Sequence, residues 1–403
     1  MNKLSAASVS AHGRQLADYL ALERNVIAAS TSAFLLGLGE ELWKKFLPKY
    51  LEALGASVFA IGMFGTAKDF FDAIYQYPGG WLADHLGRRK AFLMFIALAC
   101  LGYAIYLFSF SWLWIFVGLA FAMAWSSMAS PAIFSVIGDA LPKNRRAMGF
   151  TIQSLLKRVP MAIAPLIGGI FIARMGTLAG VRLGLIITLG LAFITILIAM
   201  RINLPIHQGE STNIKGVWQS FHFALKRLLI SDIIIRLCEG LADVLIVLYV
   251  TNVSGITLAQ YGGLVALQMT TSMLVYIPAG KIADRIGRKP FVIATFCCFA
   301  LFPLAIILAN NLGLRVVAFI IGGLREIGEP SRKAMIMDFA APHLRARTVG
   351  LYYLVRSLSI TPAAAIGGLL WKLTPQTPFI AACVIGILGV LVFAFTVEER
   401  FAS

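Results

Sequence analysis

The stretch Gly80-Trp81-Leu82-Ala83-Asp84-His85-Leu86-Gly87-Arg88-Arg89-Lys90 returns two hundred positions later as Gly280-Lys281-Ile282-Ala283-Asp284-Arg285-Ile286-Gly287-Arg288-Lys289. Each copy sits between two long apolar runs. A repeat of this kind fixes the architecture before any local reading does. Other pairs follow near the same offset. Gly55 and Gly62 match Gly255 and Gly262; Pro131, Asp139, Pro142 and Arg145 match Pro330, Asp338, Pro342 and Arg345; Gly168-Gly169 matches Gly367-Gly368. The chain reads as two related halves, and in a hydrophobic chain such repeats place a binding site between them.

Composition supplies the solvent. Of 403 residues, 59% are hydrophobic and 13% charged, where a soluble domain averages roughly 45–50% apolar and about 25% charged. The excess apolar surface must face lipid. Strands of a membrane barrel alternate over ~10 residues, whereas these runs last about 20 residues without alternation, as spanning helices do. The formal net charge of +16 does not point to a nucleic acid partner, because Lys and Arg cluster in short loops on one side, the positive-inside pattern. Residues 1–24 are polar and carry no cleavable signal. Cys100, Cys238, Cys297, Cys298 and Cys383 all lie in apolar runs, with no spacing for a metal or a disulfide framework. No phosphate-binding Gly-Lys-Ser loop and no Ser-His-Asp constellation stands out, so the reading is a non-enzyme without cofactor or metal.

The runs predict twelve spans, at about 25–47, 57–80, 91–109, 112–140, 147–173, 181–201, 227–251, 257–280, 290–309, 313–340, 347–372 and 378–397. The expected fold is an all-α membrane protein, twelve transmembrane helices in two six-helix pseudo-symmetric bundles. The N-terminal half is 1–202, a cytoplasmic linker 203–226, and the C-terminal half 227–403. Within the linker, Val217 to Leu228 reads as an amphipathic segment on the membrane surface. Connections after even-numbered spans carry the basic residues, which puts both termini and the linker in the cytoplasm.

The doubled turn resembles the loop signature of the major facilitator superfamily, Gly-x-Leu-Ala-Asp-Arg-x-Gly-Arg-Lys, which follows the second helix and is echoed after the eighth. The first copy here carries His85 in place of Arg. The entry Phe46-Leu47-Pro48-Lys49-Tyr50-Leu51 is similar to that family's first hairpin. The resemblance covers about 25–397. It implies a secondary active transporter working by alternating access, with a small-molecule substrate as partner. Gly80, Asp84, Gly87 and Arg88, with Gly280, Asp284, Gly287 and Arg288, are the expected cytoplasmic gate. The glycines allow close approach and a sharp turn, and each Asp lies within reach of an Arg. In the fifth span, Ala164-Pro165-Leu166-Ile167-Gly168-Gly169 resembles the Gly-Pro-x-x-Gly-Gly motif of proton-coupled drug exporters, with Ala164 in place of the first Gly. Pro165, Gly168 and Gly169 form the corresponding helix-packing motif.

Ionisable groups at membrane depth cost roughly 2.5–3.5 kcal/mol each on insertion scales, so they pair or do work. The proton-coupling candidates are Asp72, Glu239, Glu326, Glu329, Glu40 and Glu41. The candidates for the substrate cavity are Lys68, Lys157, Arg158, Arg236, Asp243 and Arg356. Spacing suggests a Lys68–Asp72 pair, Arg325 one turn from Glu329, and Lys44 and Lys45 following Glu40 and Glu41, with these last four reaching toward the outer interface. The resulting expectation is a monomer in the inner or plasma membrane that exports an amphipathic small molecule against protons. The alternative is uptake or exchange of an organic anion or lipid-like solute.

Overall fold

The computed structural model describes residues 24–129, 146–200, 218–219, 221–339 and 345–398. Among them every regular element is helical. The first half holds α1 (Arg24–Glu41), α2 (Leu47–Ala53), α3 (Val58–Leu86), α4 (Arg88–Leu107), α5 (Trp112–Met123), α6 (Arg146–Met175) and α7 (Thr177–Ala199). The second holds α8 (Phe223–Ala242), α9 (Leu258–Ile286), α10 (Lys289–Leu308), α11 (Leu312–Leu324), α12 (Glu329–Phe339), α13 (Arg345–Ile360), α14 (Ala363–Leu370) and α15 (Thr377–Thr396). Seven helical stretches, in α4, α6, α7, α9, α10, α15 and the run Thr348–Leu370, are long and apolar enough to cross a membrane by length and composition. Of the segment from Val217 to Leu228, all but residues 217 and 220 are described; from Phe223 it is the first turn of α8, where the His222 ring accepts from the Ala224 N–H.

Local chemistry sets the ends of the long helices. Ser57 caps α3 by accepting from the Ala60 N–H, and Thr257 with Gln260 forms a reciprocal capping box on α9. Both helices end at a glycine in the left-handed region, Gly87 at φ 79° and Gly287 at φ 112°, where a side chain would be strained. The repeated turns of the sequence are therefore repeated C-caps.

Four expected spans are interrupted. The first stops at Glu41, passes a tight turn at Lys44–Phe46, and resumes as α2 with Pro48 in its first turn. The seventh stops at Ala242 and continues through a tight turn at Asp243–Leu245 and a wide turn at Tyr249–Val253. The tenth breaks between Leu324 and Glu329, where Gly328 lies so near α10 that a Cβ would stand 2.2 Å from the Phe291 carbonyl oxygen. The eleventh breaks at Thr361-Pro362, since proline removes a helical donor. Hydropathy averages across such breaks and does not see them. The fourth span turns wide at Ala124–Met128, and its remainder from 130 lies outside the described residues.

Glycines bring the two halves into backbone contact. A Cβ on Gly62 of α3 would meet the Ala364 carbonyl oxygen at 2.5 Å and Gly368 Cα at 3.0 Å on α14. The other crossing repeats this: a Cβ on Gly262 of α9 would meet the Pro165 carbonyl oxygen at 2.3 Å and Gly169 Cα at 3.4 Å on α6. Within each half the same duplication holds. Gly168 lies against the Leu42 carbonyl, where a Cβ would come to 1.8 Å, and Gly367 against the Leu241 carbonyl, at 2.0 Å. The Pro165-Gly168-Gly169 motif thus packs α6 between α1 and α9. Small residues drive helix association in lipid because tight packing replaces the hydrophobic effect there.

Overpacking a tight core costs about 1–3 kcal/mol. Gly168→Ala should therefore lower the melting temperature of the purified protein by several degrees. Gly190→Ala, with open space around its Cβ, should leave it unchanged.

Candidate functional site

A cavity of about 290 Å³ opens where three of the helix breaks meet. That size lies at the lower end of small-molecule sites, ~300–1,000 Å³. The first half contributes Glu40, Glu41, Lys44, Lys45 and Lys68; the second contributes Glu239, Asp243, Arg325 and Glu326. Aromatic walls come from Trp43, Phe64, Tyr106, Tyr261 and Phe319. Glu40 and Glu41 end α1, and Asp243 directly follows α8. A helix C-terminus carries partial negative charge, so carboxylates there are unfavourable until a cation or donor meets them. Glu40 is met: the Tyr103 hydroxyl donates to it at 2.5 Å and Lys44 lies at 3.7 Å. Glu41 is 5% exposed, and its Oε2 has no hydrogen-bond partner among the described residues.

Next to the cavity, α8, α12 and α13 share a buried ionic cluster. Arg332 holds Asp232 with one guanidinium nitrogen, and three further contacts reach Glu329 at 2.7, 2.8 and 3.0 Å. Asp232 also accepts from the Tyr352 hydroxyl at 3.0 Å and from Arg356 at 3.4 Å. Arg236 joins the cluster to the cavity: it donates to Glu239 at 2.7 Å and lies 3.5 Å from Glu329. Arg325 reaches the other oxygen of Glu239 at 3.3 Å and stacks over the Phe299 and Phe302 rings. Among the described residues, one ion pair crosses between the halves. Arg158 of α6 reaches Glu326 at 3.2 Å, donates to Ser272 Oγ on α9 at 2.6 Å, and lies over the Tyr276 ring.

Of the expected cavity residues, Glu40, Glu41, Lys68, Glu239, Asp243 and Glu326 line it. Arg236, Glu329 and Arg356 belong to the buried cluster instead. Lys157 is exposed, within electrostatic reach of Glu40, Glu41, Lys44 and Asp72. Several expected pairings are corrected. Lys68 pairs with Asp69 at 3.3 Å, and Asp72 instead accepts from Ser127 Oγ at 2.6 Å. The wide turn at Ala124–Met128 carries Ser127 to Asp72, which spacing along α3 alone cannot reveal. Arg325 pairs with Glu239, because the break after Leu324 turns it away from Glu329. Glu40 and Glu41 are buried rather than directed to an outer interface, since α1 ends inside the protein. Sequence reading overlooked Asp232, Arg332 and Tyr103. Asp232 had a visible signal: with Arg236, Glu239 and Asp243 it completes a stripe at helical spacing.

At the duplicated turns, the side chains of Asp84, Arg88 and Asp284, and Gly80, lie outside the described set. Arg288 pairs with Asp338, the residue that matches Asp139 in the repeat. A Cβ on Gly280 would meet Pro330 only at ordinary contact, 3.5 Å; the close approach near the first turn is at Gly79, 2.5 Å from Met128 backbone. At the opposite end, Lys49 and Glu52 of the first half clasp Asn252 of the second. Lys49 donates to Asn252 Oδ1 at 2.7 Å, and Asn252 donates to Glu52 at 2.6 Å.

Two repeated halves, tight glycine crossings and a charged cavity between them define a membrane transporter. The model of the Major Facilitator Superfamily matches residues 29–235 and 228–403, and the chain belongs to that superfamily. An uncharacterized MFS-type transporter of Methanocaldococcus jannaschii is 22% identical over 399 residues, 93% of this chain and 95% of that protein. Multidrug resistance protein MdtG of Rahnella is 27% identical over 326 residues, 76% of each chain. A POT family transporter crystallised with 5-aminolevulinic acid shares the fold, with a TM-score of 0.78 at 15% identity over 93% of this chain and 96% of that one. These relatives are transporters, not enzymes, and the chain is an integral membrane protein.

Removing one partner of a buried ion pair costs about 3–5 kcal/mol because the other charge stays behind. Asp232→Asn, which takes the carboxylate from Arg356 and leaves Arg332 with Glu329 alone, should sharply lower folded yield and melting temperature. Tyr352→Phe removes one hydrogen bond and should cost only about 1 kcal/mol. Equal effects in a thermal melt would remove the cluster's scaffolding role.

Proposed function

We propose that the chain is a secondary active transporter that works by alternating access and exports an amphipathic small molecule in exchange for protons. Its two six-helix bundles, 1–202 and 227–403 joined by the linker 203–226, lie in the inner or plasma membrane as a monomer with both termini cytoplasmic. The charge pattern of the loops supports that orientation. Similarity to multidrug resistance proteins supports the direction.

The observation that carries the coupling is the Arg158–Glu326 pair. It spans the halves, and its carboxylate faces the cavity with its side chain 33% exposed. Protonation of Glu326 removes the charge that attracts Arg158, and so changes how strongly the halves hold together. Glu329 is held by Arg332, Arg236 and Lys333, which favours a structural role. Asp72 and Glu239 are secondary candidates. The organic-anion alternative rests on Arg158, Arg356 and Lys157; both guanidinium groups are engaged by carboxylates, which leaves Lys157 to support it. In this scheme the Lys49–Glu52–Asn252 clasp closes one end of the cavity while the Asp84, Arg88, Asp284 and Arg288 turns close the other.

In proteoliposomes, Glu326→Gln should abolish substrate flux driven by a pH gradient while leaving the fold intact. Full pH-driven flux in this variant would sink Glu326 as the coupling site.

A second outcome concerns the clasp. Asn252→Ala removes contacts to both Lys49 and Glu52. Partly exposed pairs are worth only about 0–1 kcal/mol, yet a few kcal/mol sets the balance of a two-state protein. Labelling of a cysteine placed in the cavity, Val247→Cys, should speed up from the outer side; an unchanged rate would dismiss the clasp as a gate.

A further inference from the structure

We infer that the cavity takes a small zwitterion: an ammonium group at Glu41 and Asp243, an anionic group at Lys45, and an apolar body against Trp43, Tyr106 and Tyr261. This rests on the transporter reading and names the chemistry of its substrate.

Most charges around the cavity already have partners inside the protein. Glu40 has Tyr103 and Lys44, Glu239 has Arg236 and Arg325, Glu326 has Arg158, and Lys68 has Asp69. Three lining charges have no side-chain hydrogen bond and no ion pair within 4 Å among the described residues. Glu41 is 95% buried, with one carboxylate oxygen unpartnered. A buried acceptor without a partner carries the full desolvation cost of its group, so a donor must arrive from elsewhere. The Asp243 carboxylate lies within electrostatic reach of Lys68 but makes no hydrogen bond and no ion pair within 4 Å among the described residues. Lys45 lines the cavity and pairs with no carboxylate within 4 Å among the described residues. It follows Glu41 by four positions, yet the turn after α1 keeps the two from closing on one another.

The unmatched set is therefore two acids and one base. It includes one acid from each half: Glu41 at the end of α1 and Asp243 just past α8. Both helix ends add negative potential that favours an ammonium over a neutral donor. A purely anionic ligand would have to meet Glu41 and Asp243 unpaired. A purely cationic one would leave Lys45 unmatched in a cavity it must help to fill. The aromatic walls accept hydrocarbon or an aromatic ring, and they pack edge-on in two pairs: Trp43 meets Tyr106 at 5.7 Å, and Tyr261 meets Phe319 at 6.1 Å.

Three probes with one hydrocarbon body decide the matter: 2-phenylethylamine, 3-phenylpropionate and phenylalanine. Each is titrated calorimetrically into the full-length protein in lipid nanodiscs. A charge-assisted contact is worth roughly a factor of ten or more in affinity, so phenylalanine should bind at least about tenfold tighter than either single-charge probe. Glu41→Gln should erase its advantage over 3-phenylpropionate, and Lys45→Gln its advantage over 2-phenylethylamine. If Glu41→Gln does not fold, the wild-type ranking and Lys45→Gln decide alone. Equal binding of 2-phenylethylamine and phenylalanine, tightest binding of 3-phenylpropionate, or no binding of any probe to folded protein overturns the inference. So does displacement of phenylalanine by sodium chloride but not by choline chloride, which assigns Glu41 to an inorganic cation. Flux in proteoliposomes separates the two levels. Flux of the probes without preference for the zwitterion removes this inference and keeps the transporter; tight zwitterion binding with no flux does the reverse.

Discussion

Backbone meets backbone at Gly62 and Gly368, and again at Gly169 and Gly262. These two crossings are the only described places where helices of the two halves come so near that a single Cβ would collide with both a carbonyl and a facing glycine. In lipid there is no hydrophobic force between helices, so this proximity is what makes the interface cohere. It also sets the space elsewhere. Because α3 and α14, and α6 and α9, are clamped at these points, the interrupted stretches after α1, α8 and α11 converge beside them, and the cavity is what remains between.

A second constraint acts on that cavity. Charges withdrawn from water must be paired, and pairing is uneven here. The second half has an internal lattice of Asp232, Arg236, Glu239, Glu329, Arg332 and Arg356, while the first half contributes shorter local pairs and the unmatched Glu41. The repeat is thus conserved in backbone and divergent in charge. Glu40 and Glu239 occupy equivalent places, one offset apart, but the lysine that answers Glu40 four residues on, Lys44, is replaced after Glu239 by Asp243. The unmatched charges lie where the edge of the second half faces the first.

The duplicated turn made the helical, two-part organisation readable, because a fixed offset of two hundred residues survives any error in span boundaries. Gly168-Gly169 and Gly367-Gly368 were readable as packing sites for the same reason. Helix breaks were not. Averaged hydropathy runs through Leu42 to Phe46 and Arg325 to Gly328 without a sign, and only the three-dimensional path shows that these segments leave the helix. Errors in pairing follow from the breaks: Arg325 points to Glu239, and Ser127 reaches Asp72, because a wide turn or a lost turn changes the direction of the side chains that follow. Asp232 and Arg332 lie one hundred residues apart in sequence, so no local spacing pairs them, and the fold buries both.

The central claim is that the halves rock about the glycine crossings, so that one end of the cavity opens as the other closes. Spin labels test it directly. One pair, at Ala53→Cys and Val253→Cys, reports the end near the Gly55 and Gly255 turns; another, at Arg89→Cys and Arg285→Cys, reports the opposite end, and all four positions are exposed. Pulsed electron-spin distance measurements in nanodiscs should give two populations at each end. A change of pH should shift them in opposite senses, the first pair separating as the second closes. A single distance at both ends that does not move with pH, or two ends that open together, would contradict the account.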